Sequence, residues 1–547
     1  MTTPPVNLIN WLLAFSPIAV ILVLMIGLRW GGRRAGPAGW IVALVVAWLR
    51  FGAGPEVLLY SQDRGILLSL FVLYIIWMAL VLYRVVDEAG ALAAVGRGIA
   101  RLTSDRTMQL LLIAWAFSSF VQGVAGFGVG IAVVTPLLVG LGIEPLVALA
   151  AVSIGHSWAV TFGSMGSSFQ ALMAASGLSG YELAPWSAAM LGVACFGCGF
   201  LAAWVDRGWQ SVRRGWPALL VMGTIMAGVQ YILAVSGLWN LGGFGAGLAG
   251  LGAAALVARL PRYRYRAAAE EEALPGLEGQ PGVESPAAEG EPLDDKGLVG
   301  VGSGQRPMPL WLALAPYVVL LAVAVLAEMW PWLNDVLNRV QIAIDFPRVE
   351  TSYGWVTPAG TGRTISVFGH AGALLAYVAV IFYAVYRLSG YYTPGTTRRI
   401  LQQTVKNGVP STIGIATMVG MALAMDNSGM TYVLAQGLSQ IAGPVYPLVS
   451  AFIGLLGAFT TGSNTNSNVV FAPLQQQAAG LLNLNLLVIL AAQTTGGSLG
   501  SMIAPAKLIV GAAGVGLVGR EGEVLKKTLL PGLILTAITG LLAWLFS

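Results

Sequence analysis

The sequence predicts an all-α polytopic membrane protein. About twelve transmembrane helices and two re-entrant hairpins would form two inverted repeats. Three observations predict this. First, the 547 residues include 29 Lys+Arg and 24 Asp+Glu, 10% charged, against about 25% in soluble proteins. Second, hydrophobic residues make up 56% and mean hydropathy is +0.77, with apolar runs of bilayer-spanning length recurring along the chain. Third, two of those runs are split by small and polar residues, and one fixed offset superposes them. A soluble globular enzyme, a disordered chain and a fibrous repeat are excluded by composition. A β-barrel is excluded because its strands read as alternating ten-residue segments.

Taken in order, the N-terminal residues 1–10 carry no basic segment, so the first apolar run is expected to remain as a helix and not to be removed as a signal peptide. Spans of about 20 residues fall at 10–28, 38–53, 65–86, 145–163, 186–205, 217–235 and 241–258, then at 309–330, 366–387, 409–425, 484–500 and 528–546. Cys195 and Cys198 lie inside one such run with no His or charge close by, and read as small packing residues. Segments 108–142 and 445–480 are interrupted, at Gln122-Gly-Val-Ala-Gly-Phe-Gly128 and at Thr460-Thr-Gly-Ser-Asn-Thr-Asn-Ser-Asn468. Backbone polar groups in hydrocarbon need partners, so a non-helical break survives there only inside protein or beside a wet cavity. The domain plan is therefore a first repeat over 1–206 containing hairpin 108–142, connecting helices over 217–258, a linker over 259–308, and a second repeat over 309–547 containing hairpin 445–480. Between 267 and 305 the linker has nine acids and one base with much Pro and Gly, a composition that argues disorder.

Charge sets the orientation. Arg29 to Arg34, Arg84 to Arg106, Arg207 to Arg214, Arg259 to Arg266, Arg387 to Lys406, and Arg520 to Lys527 mark six loops that the positive-inside rule places in the cytoplasm. Loops 54–64 and 331–365 would lie outside. These placements agree only if 108–142 and 445–480 each return to the side they left. A pair of full spans satisfies the charges equally, and the polar breaks decide for hairpins. Both termini are then outside.

Shifting the chain by 337 residues lays Pro136-Leu137 on Pro473-Leu474, Gly163-Ser164-Met165 on Gly500-Ser501-Met502, and Gly177 on Gly514. It also lays Gly126-Phe127-Gly128 on Ser463-Asn464-Thr465, and His156-Ser157-Trp158 on Gln493-Thr494-Thr495. The two copies have opposite orientation in the topology above, which is the architecture of secondary transporters. Two hairpin tips and two polar helix stretches would face one site. Helix N-termini and free N–H groups there favour an anion, and hydroxyls and amides suit a small organic acid. The same groups could coordinate Na⁺. No phosphate-binding loop of an ATP-driven pump is present, and there is no nucleic-acid motif, catalytic pair or cofactor signature.

The stretches Phe120-Val-Gln-Gly-Val-Ala-Gly-Phe-Gly128, Leu138-Val-Gly-Leu-Gly142, Thr461-Gly-Ser-Asn-Thr-Asn-Ser-Asn468, Thr494-Thr-Gly-Gly497 and Gly514-Val-Gly-Leu-Val-Gly-Arg-Glu521 resemble the lactate permease family. The resemblance runs over nearly the whole chain outside the acidic linker. It implies a carrier of the bacterial inner membrane for L-lactate, D-lactate, glycolate and similar 2-hydroxy monocarboxylates, driven by proton symport. It leaves open a sodium-coupled carboxylate or dicarboxylate carrier, and a homodimer. Ser463-Asn464-Thr465 more distantly resembles the motif of sodium-coupled dicarboxylate transporters, which implies elevator-type movement. The chain departs from the family's usual residues at Gln122 and Asn464, where acids are usual, and at His156 and Asp426.

The expected substrate-binding residues are Gly126, Phe127, Gly128, Ser157, Ser463, Asn464, Thr465, Asn466, Ser467, Asn468, Gln493, Thr494 and Thr495. Asp426 and His156 are the expected proton-handling residues. An intramembrane acid is costly and functional by default, against an ordinary helix-end acid. An imidazole titrates near neutrality, against a packed neutral histidine. Lys507 could offset a substrate's charge, but snorkelling to the cytoplasmic interface is the preferred reading.

Overall fold

A computed structural model describes residues 6–28, 30–100, 102–124, 128–263 and 308–547. The linker expected over 259–308 lies outside them except at its two ends. Almost every other segment is helical, as one solvent without hydrogen-bonding capacity requires of a chain that crosses it.

Among the described residues twelve helices are long and apolar enough to cross a membrane. Their number matches the sequence expectation, but the set differs. Gly32–Phe51, expected as a span over 38–53, falls outside the set, and it carries Arg33, Arg34 and Arg50. Pro145–Ala159 is a shorter helix, because the chain leaves the helix near Val160. Arg106–Val124 and Met430–Thr461 take their places. Met430–Ala442 had no counterpart in the sequence reading; Thr431, Gln436, Ser439 and Gln440 dilute its hydropathy below that of a clear span. Segment 54–64, expected as a loop, is the opening of the helix Pro55–Glu88, with Pro at its first position where a missing N–H costs nothing.

Segment 331–365, also expected as a loop, holds the short helix Pro331–Leu337 and one long interrupted hairpin. Three short antiparallel ladders pair 341–342 with 365–366, 345–346 with 360–361 and 349–350 with 356–357. The hairpin docks on helix ends: Ser352 N–H donates to Gly52 O at 2.9 Å, and Trp355 Nε1 donates to Asp426 O at 3.1 Å.

Both split segments fold back on themselves. Tyr446–Thr461 and Asn464–Leu482 run antiparallel. Tyr446 OH donates to Gln475 Oε1 at 2.8 Å, and Ser467 Oγ donates to Gly454 O at 2.8 Å. In the first, Arg106–Val124 is followed by Val129–Gly140, and a Cβ on Gly130 would sit 3.4 Å from Ser118 O. Each hairpin is followed by a broken helix, Pro145–Ala159 then Ser167–Ser176, and Leu486–Gly500 then Pro505–Ala513. Glycine lets these pieces touch backbone to backbone. A Cβ on Gly454 would lie 2.9 Å from both Gln493 C and Gly497 N, so the hairpin arm Tyr446–Thr461 and the helix Leu486–Gly500 could not pack this closely with any larger residue. Cys195 and Cys198 are buried and unbridged, in Gly180–Arg207.

Candidate functional site

The second tip is built by helix capping. Gly462 takes φ +69 and ends Tyr446–Thr461. Ser463 then turns extended and caps Asn464–Leu482, its Oγ accepting from Asn466 N–H at 3.3 Å. The polar run therefore lies in the first turns of a helix, and the free N–H groups of its first turn point out of the helix's N-terminal end.

The break after Pro145–Ala159 brings a second helix start to the same place. Ser164 and Met165 have φ of 48° and 54°, and Gly166 has φ +72. Two consecutive side-chain-bearing residues in the left-handed region store strain that the surroundings must hold. The first hairpin holds it: Ser164 N–H donates to Gln122 O at 2.9 Å and Met165 N–H to Gly123 O at 3.0 Å. Ser167 and Ser168 then open the helix Ser167–Ser176.

One hydrogen-bond network joins these parts. Asn464 Nδ2 donates to Thr161 Oγ1 at 3.0 Å and to Thr494 O at 3.2 Å. Thr161 Oγ1 donates to Thr494 O at 3.0 Å. Ser168 Oγ lies 3.0 Å from Thr465 Oγ1. Asn468 Nδ2 donates to Ser168 O and to Thr494 Oγ1, both at 2.9 Å. Ser498 Oγ donates to Ser157 O at 2.6 Å and receives Thr161 N–H at 3.2 Å. All these side chains are buried.

Beside the network is a cavity of about 20 Å³, room for roughly one water. It is lined by Gln122, by residues of 160–168, by 462–465 and by Lys507. Gln122 Oε1 and Asn464 Oδ1 are buried acceptors without a donor among the described residues. A buried acceptor left unmet costs about 1–3 kcal/mol, so a ligand that donates to them has that much to gain.

The sequence-predicted residues separate into groups. Ser463, Asn464 and Thr465 line the cavity, and Asn468, Thr494 and the Ser157 carbonyl support it. Ser467 and Gln493 stand behind: Gln493 Nε2 donates to Ser467 Oγ at 3.1 Å and Gln475 Nε2 to Gln493 Oε1 at 2.8 Å, which ties the hairpin arm to the broken helix. Asn466 Oδ1 and Thr495 Oγ1 are buried without partners among the described residues. Gly128 precedes Val129–Gly140 with φ +86, and a Cβ there would lie 3.8 Å from Lys507 Cγ. Gly126 and Phe127 lie outside the described residues. His156 is fully buried at the end of Pro145–Gly155, its Nδ1 2.8 Å from Val152 O. Asp426 is not in the cavity lining, and its backbone carbonyl accepts from Trp355 Nε1 of the interrupted hairpin. Its neighbour Asn427 donates to Ser61 Oγ at 3.0 Å.

Sequence reasoning missed Thr161, Ser168 and Ser498, which as single hydroxyls in helices look like ordinary packing. It also preferred an interfacial Lys507, whereas the lysine is 5% exposed and lines the cavity. Its position six residues after Ser501 in the shifted copy was the only signal. Among the described residues no three His, Cys, Asp or Glu side chains gather to hold a metal ion.

Comparison with known proteins gives a consistent family. A family model described as L-lactate permease matches residues 10–547. The chain is 27% identical to an L-lactate permease of Bacillus subtilis (strain 168), over 98% of this chain and 96% of that one. It is 27% identical to an L-lactate permease and 26% identical to the glycolate permease GlcA, both of Escherichia coli (strain K12), over 98% of this chain and 95% of each relative. Among solved structures it resembles the Alcanivorax borkumensis YdaH transporter at TM-score 0.41 and 15% identity, over 98% of this chain and 97% of that chain, a likeness too slight to define a topology.

Proposed function

The chain belongs to the L-lactate permease family, and we propose that it is a secondary carrier of small 2-hydroxy monocarboxylates, L-lactate, D-lactate or glycolate, working by proton symport across the bacterial inner membrane. The carrying observation is the meeting of two helix starts, Ser167–Ser176 and Asn464–Leu482, at one small cavity lined by buried hydroxyls and amides. Helix N-termini attract the carboxylate. The unmet oxygens of Gln122 and Asn464 suit the hydroxyl, which donates where a plain carboxylate could not.

The order of hairpin and broken helix, met twice, supports a reading as two inverted repeats around a shared site. In that reading the tips approach from opposite sides, the six Arg-rich loops are cytoplasmic and both termini are outside. The described cavity is far smaller than a two- or three-carbon acid, so in this reading loading requires the two helix starts around it to part. Elevator-like travel of the hairpins and broken helices against the remaining helices is the movement that would then expose the site alternately. Of the two expected proton-handling residues, His156 is the one in the broken helix.

Counterflow tests the reading. Proteoliposomes loaded with unlabelled acid should take up labelled L-lactate, D-lactate or glycolate against its gradient, and a proton gradient alone should drive accumulation. Uptake that follows a sodium gradient only, or no saturable exchange of any of the three acids, would overturn it.

A further inference from the structure

We propose that Lys507 receives both the substrate's carboxylate and the proton that travels with it, an inference that rests on the carrier function proposed above. Lys507 sits in the first turn of Pro505–Ala513 and faces the cavity with Gln122, Ser164, Ser463 and Asn464. Among the described residues it has no carboxylate within 4 Å and donates no hydrogen bond. The cavity's described lining contains no acid at all, so this side chain is its one ionisable group.

The surroundings offer no hidden counter-ion. The helices packed on Pro505–Ala513 are Val129–Gly140, Pro145–Gly155 and Glu521–Phe546. Val129–Gly140 has no titratable side chain. Pro145–Gly155 has none within it; Glu144 before it is exposed, and the buried His156 after it lies near enough to Lys507 for charges on the two to repel, so it is a competitor for the proton and not a counter-ion. Glu521–Phe546 carries Glu521, Glu523, Lys526 and Lys527 in its first turns, outside the cavity lining.

While the site is empty, a proton on this amine has no counter-charge among the described lining residues. A carboxylate arriving beside it supplies that charge, and the two then hold each other as an ion pair. By linkage, each ligand raises the other's affinity by the same factor. The amine takes one proton from the water on the loading side as one acid anion binds, and it returns that proton on the other side as the anion leaves. The loaded site gains no net charge, and one proton accompanies each acid without any carboxyl group of the protein taking part. The unmet oxygens of Gln122 and Asn464 lie where an ammonium N–H or the substrate hydroxyl can meet them.

The test uses the purified full-length protein in weakly buffered, mildly alkaline detergent solution with a pH indicator. Addition of glycolate or L-lactate should draw about one proton from solution per acid bound. Lys507→Arg, which keeps its charge at every pH, should take up no proton when it binds the acids and fail to accumulate them on a pH gradient. Lys507→Gln should bind at least tenfold more weakly, and Lys507→Met replaces it if the Gln variant is not monodisperse. Proton-driven accumulation by Lys507→Arg, or proton uptake by Lys507→Gln matching the wild type, would overturn the proposal while leaving the carrier reading intact. A wild-type protein that neither binds nor exchanges any of the acids would overturn both.

Discussion

Asn464→Leu isolates the site's recognition of the hydroxyl. The substitution keeps the side chain's size and removes an amide that is 2% exposed. On the protein's side the loss is two hydrogen bonds, to Thr161 Oγ1 and Thr494 O, and a long third contact at 3.5 Å to Thr494 Oγ1. Thr494 O keeps its bond from Thr161, so no buried carbonyl is orphaned and the cost is about 2 kcal/mol of stability. On the substrate's side the loss is larger. The hydroxyl forfeits a bond worth about 1 kcal/mol and is left desolvated at about 1–3 kcal/mol more, together roughly 30- to 1,000-fold in affinity. Counterflow of labelled lactate should fall by that factor in a protein that still melts cooperatively. Propionate, which lacks the hydroxyl, should lose far less, so the preference for hydroxy acids collapses. A variant that keeps both its lactate exchange within threefold and its preference over propionate would refute the placement of Asn464 against the substrate.

Further outcomes follow from the same geometry. Asp426→Asn should retain accumulation on a pH gradient, since Asp426 lies outside the cavity lining; loss of accumulation in a folded variant would return it to the coupling path. Ser168→Cys with Thr465→Cys places two thiols where hydroxyls are 3.0 Å apart, and oxidation should block counterflow until reductant is added, because the two helix starts must part; full exchange by the cross-linked protein would contradict that requirement. Gly454→Val should leave little folded protein by size-exclusion chromatography, as the added atoms meet the backbone of Gln493 and Gly497. A C-terminal alkaline phosphatase fusion should be active and a C-terminal fluorescent-protein fusion dark if both termini are outside.

The parts of the fold that were legible in the chain are those where one residue type runs against its surroundings. The polar run at 460–468 stands out within an apolar stretch, and it forms the capped helix start of the site. The split at 122–128 marks the first hairpin in the same way. Elements of intermediate polarity were hidden. Met430–Ala442 is too polar for a span and too apolar for a loop, and 54–64 is helical because the helix Pro55–Glu88 extends well past a bilayer's thickness. Lys507 shows the limit most clearly. A lysine near a helix end reads as an interfacial anchor, and only the packing of four separate segments turns its end into the lining of a cavity. Thr161 and Ser168 were invisible for a related reason: their role is fixed by partners 303 and 297 residues away.

The most direct measurement is a density map of the protein in a lipid nanodisc with bound glycolate or lactate. The account predicts ligand density at mid-membrane depth between Ser167 and Ser168 on one side and 463–465 on the other, with its carboxylate against Lys507. Ligand density at another place, or residues 463–468 standing in bulk water beyond the headgroups, would contradict it.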